Sequence, residues 1–210
     1  MKSVSQRQSR SEITDLVVNT LVMILAPLLV VGIVGVLLSV AFKSVDHGGT
    51  VLIVVALSMF SGFVLIPYGL IRKLYRPSLK ELGVLPLVRW EMVLHVCLFA
   101  GIFLVVRLTK DWTHSFLWIT CLQMFLVAVS EEFWARGVLC YLFKRIWNQH
   151  VFIILASSLS FAFLTHMNEP FMENLLYRLP GALIMGFIYV RTGNLRYTIM
   201  FHFAYNLLNV

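Results

Sequence analysis

The run LVVNTLVMILAPLLVVGIVGVLLSVAF, residues 16–42, holds no Asp, Glu, Lys, Arg or His. A helix crosses the hydrocarbon of a bilayer in about 20 apolar residues, so this run alone is long enough to span. It is too long for the apolar core of a cleaved export signal and lacks a small-residue cleavage site. It therefore reads as a retained first span behind the basic N-terminus MKSVSQRQSR. By the same length rule, further spans are expected near 50–71, 90–108, 115–140, 150–167, 174–190 and 195–210. The predicted fold class is all-α, a polytopic transmembrane helical bundle of about seven spans. The fifth and sixth are short, and the sixth contains Arg178 and Pro180.

Composition points the same way. Of 210 residues, 60% are hydrophobic and 13% charged, against about 25% charged in a soluble domain. In lipid only helices and closed barrels pair every backbone group, and these runs exceed barrel strands. The formal net charge is +7, but the bases sit in short connections, where they report orientation; no nucleic-acid partner is expected. Lys2, Arg7 and Arg10 precede the first span, and Arg72, Lys73, Arg76, Lys80 and Arg89 separate the second and third. Lys144 and Arg145 follow the fourth, and Arg191 and Arg196 join the sixth to the seventh. Alternation places all of these on one side, so a multi-pass cell-membrane protein with a cytoplasmic N-terminus is expected. The opposite loops hold Lys43, Arg107 and Lys110 with Asp46, Asp111, Glu169 and Glu173. The segment RKLYRPSLKELGVLPLVRW, residues 72–90, is read as an interfacial stretch or a plain basic loop. Cys97, Cys121 and Cys140 show neither metal-type nor disulfide spacing. Residues 1–210 form one expected membrane domain, with the chemistry-bearing part at 115–210.

A carboxylate at the bilayer centre costs about 2.5–3.5 kcal/mol on insertion scales, so an intramembrane ionisable group is a functional candidate. LVAVSEEFWARGVL, residues 126–139, places Glu131, Glu132 and Arg136 in one apolar helix. Glu132 and Arg136, four apart, share a face with the acid N-terminal, the favourable orientation for an ion pair. Glu131 points about 100° away, so it is expected unpaired, beside the small Ala128 and Ala135. A buried free carboxylate is suited to general-base work, although a polar clamp between helices would use the same residues. SFAFLTHMN puts His166 near a helix end, and HFAYN puts His202 and Asn206 on one face. Two such donors can hold a developing oxyanion or bind a partner helix. Neither an H-E-x-x-H zinc helix nor a G-x-S-x-G nucleophile turn is present.

EEFWAR, the His166 segment and RTGNLRYTIMFHFAYN together resemble the three motifs of the CPBP (CAAX protease and bacteriocin-processing, or Abi) family of intramembrane endopeptidases. The E-E-x-x-x-R motif falls on Glu131, Glu132 and Arg136, and H-x-x-x-N on His202 and Asn206. The F-x-x-x-H motif is off by one: Ala162 stands four before His166, with Phe161 and Phe163 on either side. One inserted residue, of the kind a π-bulge accommodates, is the expected reason. By this resemblance Glu131 and His166 activate a water, His202 and Asn206 stabilise the oxyanion, and Glu132 and Arg136 hold the scaffold. The implied substrate is a membrane-associated peptide or protein, and the implied site needs no cofactor. Zinc on Glu131, His166 and His202 is the metal-dependent variant, which would use up the proposed base.

The simple spans raise a geometric difficulty. His202 falls near the basic end of its span, whereas His166 lies about 24 Å along its helix from His150. Convergence then calls for strong tilt or for a dip of residues 141–150 into the membrane. The alternative functions are a non-catalytic immunity or sensor-binding protein with a structural polar core, and a small transporter with a proton-relay carboxylate.

Overall fold

The computed structural model describes residues 10–43 and 48–209, and among them every regular element is helical. Seven continuous helices run in order: α1 (Arg10–Ala41), α2 (48–74), α3 (Arg89–Thr109), α4 (His114–Ile146), α5 (His150–Leu164), α6 (171–192) and α7 (Leu195–Asn209). Each coincides with an expected span to within a few residues. By length and composition α1, α2, α3 and α4 are long and apolar enough to cross a membrane, and α5 is a shorter apolar helix. Lys2, Arg7 and Asp46, three of the charges used above for orientation, lie outside the described residues.

The bundle is apolar outside and polar within. Leu29, Ile33, Val36, Leu37 and Val40 of α1 are exposed, as are Val93, Val96 and Leu108 of α3. Glu131, Glu132, Arg136, Ser157, Ser158, Asn174, Thr198 and His202 are buried. Lipid covers the first set without cost, and the second finds partners only inside.

Three helices contain π-helical stretches, at Ser61–Leu65 in α2, Phe133–Leu139 in α4 and Asn174–Arg178 in α6. The first two meet α1 at its internal proline. Pro27 has no N–H, so the carbonyl of Met23 loses its helical donor. The indole N–H of buried Trp134 fills that position, donating to the Met23 carbonyl at 2.8 Å. Gly62 lies against the same stretch, where a Cβ would come within 2.8 Å of the Pro27 carbonyl and 2.3 Å of Val31 Cγ2. The Phe63 and Trp134 rings close the contact with centroids 5.0 Å apart.

The stretch 72–90 that connects α2 to α3 is mostly exposed, Leu74, Leu79, Val84, Leu87, Val88 and Trp90 included, and is tied to one end of the bundle at a few points. Pro77, Leu82 and Gly83 are buried, and the Gly83 carbonyl accepts from the amide of Leu195 at 3.0 Å, satisfying a donor at the start of α7. Gly83 has φ +80°, and a Cβ there would lie 2.6 Å from the Tyr189 ring. The Ser78 amide and hydroxyl both donate to Glu81 and hold its carboxyl below the usual carboxylate range. At the α6–α7 junction Gly193 closes α6 in the left-handed conformation. Asn194 then accepts from the Arg196 amide at 3.1 Å as the cap of α7. Arg196 also donates to Glu91 at 2.7 Å and Tyr197 to the same carboxylate at 2.7 Å, fastening α7 to α3.

Candidate active site

Height along the bundle decides which polar groups can meet. Leu195 packs level with Gly137, where a Cβ would sit 3.6 Å from Leu195 Cδ1. From Gly137 back to Glu131 is about 9 Å along α4, and from Leu195 on to His202 about 10 Å along α7. From Ile146 back to Glu131 is about 22 Å, close to the roughly 21 Å from His150 to Leu164, where α5 ends and the turns carrying His166 begin. All three residues therefore reach one height. Of the two routes considered, tilt or a dip of 141–150, the dip is not seen within Cys140–Ile146, which continues α4 as α-helix. Unequal helix lengths do the work: α4 extends about 13 Å past the level at which α7 begins.

Glu131, His166, His202 and Asn206 all line one cavity of about 450 Å³. Met59, Met124, Met185, Tyr177 and Tyr205 supply much of the remaining wall. Glu132 and Arg136 are fully buried behind it. Arg136 Nε lies 3.4 Å from Glu132 Oε2, and its Nη2 donates to the Ala182 carbonyl at 2.9 Å. The pairing along α4 is therefore as expected, within the π-helical stretch.

Glu131 is not unpaired as expected. His202 Nε2 stands 3.6 Å from Glu131 Oε2, while His202 Nδ1 stands 3.1 Å from Glu132 Oε1. One imidazole from α7 thus stands between the two adjacent carboxylates of α4, within hydrogen-bond distance of Glu132 alone. Glu132 in turn links His202 to Arg136, the arrangement by which a buried acid fixes the orientation of a ring.

The expected π-bulge in α5 does not occur. That helix is α-helical to Leu164, and His166 lies in the turns beyond its end. The extra residue is accommodated there, and the Phe161 ring still meets the site. Its centroid is 6.0 Å from the His166 ring, 5.4 Å from the His202 ring and 5.0 Å from the Arg136 guanidinium. The His166 carbonyl accepts from Asn174 Nδ2 at 2.8 Å, which secures the turn to α6.

Arg178 was not among the expected site residues. Its Nη1 lies 3.5 Å from His166 Nε2, and its Nη2 pairs with Glu169 at 3.1 Å at the cavity mouth. A base inside an apolar span is the signal that marks it. Among the described residues no group of three or more His, Cys, Asp or Glu side chains is spaced to hold a metal ion.

Residues 111–208 match the family model described as Type II CAAX prenyl endopeptidase Rce1-like. The matched stretch contains Glu131, Glu132, Arg136, His166, His202 and Asn206. No curated protein and no solved structure matches the chain.

Proposed function

With residues 111–208 identified as Rce1-like, of the CAAX protease family, we propose that this protein hydrolyses a peptide bond in a membrane-associated peptide or protein, using water activated by Glu131. The observation that carries this reading is the single cavity lined by Glu131, His166, His202 and Asn206, with Glu132 and Arg136 buried behind it. Water held between Glu131 and His166 attacks the peptide carbonyl, and Glu131 takes its proton. His202 Nε2–H and Asn206 Nδ2–H donate to the oxyanion that forms. Collapse of the tetrahedral adduct breaks the C–N bond, and the proton held by Glu131 passes to the leaving amine.

Glu132 serves this scheme by holding His202 at Nδ1, 3.1 Å from its Oε1, which aims Nε2 at the reacting carbonyl while Arg136 balances the charge. No step uses a metal. The methionine-rich wall suits an apolar, variable segment, because unbranched thioether chains repack around different shapes. The bundle end that carries Lys144, Arg145, Arg191 and Arg196 is placed at the cytoplasmic face.

The test compares membrane-derived peptides from cells producing the wild-type chain or Glu131→Gln, followed by cleavage of the best candidate by purified protein. Products that appear with the wild type alone support the reading. Equal cleavage by both purified proteins would remove Glu131 as the base, and no product from either would overturn the reading and leave a non-catalytic binding role.

A further inference from the structure

A second cavity, of about 650 Å³, opens at the basic end of the bundle and plays no part in the hydrolysis described above. Its deepest side chain on α4, Cys140, lies about 12 Å along the helix from Glu132. Lys80 reaches it from the α2–α3 connection, Lys144 and Arg145 from the end of α4, and His150 from the start of α5. Three separate pieces of chain thus aim bases into one concavity. Glu81 is the single carboxylate of the lining, and its Oε2 is already occupied by the Ser78 amide and hydroxyl, each at 2.8 Å.

Arg145 is held in place before any ligand arrives. Its guanidinium lies 5.0 Å from the Tyr75 ring centroid and 5.6 Å from that of Tyr141, and Nη1 donates to the Tyr141 hydroxyl at 3.0 Å. A fixed planar fork matches phosphate oxygens well, because little rotamer freedom remains to be lost. Among the described residues, no carboxylate forms an ion pair with Lys80, Lys144 or Arg145, although Arg145 is near enough to Glu81 to help hold its carboxyl low. α5 begins at the cavity wall with no side-chain cap from Gln149, so the positive end of its dipole adds to the same field.

From this convergence we propose that the cavity binds a phosphate-bearing anion, with Arg145 as the fork and Lys80 and Lys144 as flanking charges. At the height of the basic loops the source is an anionic phospholipid headgroup or a free phosphate.

The full chain, purified in neutral detergent, is titrated with short-chain phosphatidylglycerol, short-chain phosphatidylcholine and inorganic phosphate, with intrinsic fluorescence as the readout. Anion binding is expected, and it should weaken as salt is added. In Lys80→Gln/Lys144→Gln/Arg145→Gln it should fall by about 100-fold, at about five-fold per base. The charge-matched control Lys73→Gln/Arg89→Gln/Arg191→Gln, whose bases lie outside the cavity, should stay within about three-fold of wild type. If the triple variant melts early, Lys144→Gln alone should show the five-fold step. Binding of phosphatidylglycerol without inorganic phosphate assigns the site to the headgroup; competition between the two assigns it to phosphate itself. Equal binding of phosphatidylcholine, an equal loss in the control, or no binding of either anion would overturn the proposal. None of these readouts depends on proteolysis.

Discussion

Glu131 and Glu132 are neighbours in sequence, equally buried, and set apart only by what each faces. Glu132 meets Arg136 and His202 Nδ1, so it is tied on both oxygens, whereas Glu131 meets His202 Nε2 and open cavity. Amide replacement should therefore separate them. Glu131→Gln is expected to lower kcat by about 10²–10⁴-fold, the range of a lost general base, with the melting temperature in detergent unchanged or raised. Glu132→Gln leaves Arg136 without its counter-charge, which costs about 3–5 kcal/mol for a broken buried pair, so its melting temperature should drop sharply along with activity. A Glu131→Gln protein that cleaves normally would remove the base from the scheme. Asn206→Ala should lower kcat by about 10²–10³-fold with little change in KM, as expected of a donor used only in the transition state. Since no step runs through a metal, 1,10-phenanthroline should leave turnover intact, and inhibition reversed by added zinc would contradict the scheme.

At the scale of single elements, Pro27 and Trp134 show a backbone vacancy being filled from another helix. Trp134→Phe should leave the Met23 carbonyl buried without a donor, at about 1–3 kcal/mol. Pro27→Ala restores an N–H within α1, so the double variant should recover part of the loss in a thermal melt. If both substitutions simply add, the indole bond is not what joins α1 to α4. Such contacts were not legible in the sequence, because neither π-helical stretches nor the direction of one indole leaves a periodic trace. The seven helices were legible, since apolar length is a one-dimensional signal. The pairing of Glu132 with Arg136 was too, since it follows from spacing along one helix. The placement of His202 between both glutamates was not, because it depends on the height at which α7 starts. That height is set by Leu195 against Gly137 and by the Gly83 carbonyl. The displaced second motif belongs to the same class. Its spacing was visible, but ending α5 at Leu164 and letting His166 swing from the following turns is a tertiary solution.

On the scale of the whole molecule, the two ends of the bundle differ in charge. One end gathers Arg72, Lys73, Lys80, Lys144, Arg145, Arg191 and Arg196 with Glu81 and Glu91, and the other balances Lys43, Arg107 and Lys110 against Asp111, Glu169 and Glu173. Basic loops are retained in the cytoplasm while neutral or acidic ones translocate, so the first end should face the cytoplasm. The site would then be reached from the membrane interior, about 22 Å along α4 from Ile146. Orientation can be measured on a chain whose Cys97, Cys121 and Cys140 are replaced by serine or alanine. A cysteine at Lys144 should react with a membrane-impermeant maleimide only in inside-out vesicles, and a cysteine at Lys110 only in intact cells or right-side-out vesicles. Lys144 lies in the last turn of α4 and Lys110 just before its start, so the pair reports the direction of the helix that carries Glu131 and Glu132. The reverse labelling pattern would place the basic end outside. It would also remove the cytoplasmic placement of the anion-binding cavity, which rests on the same direction of α4.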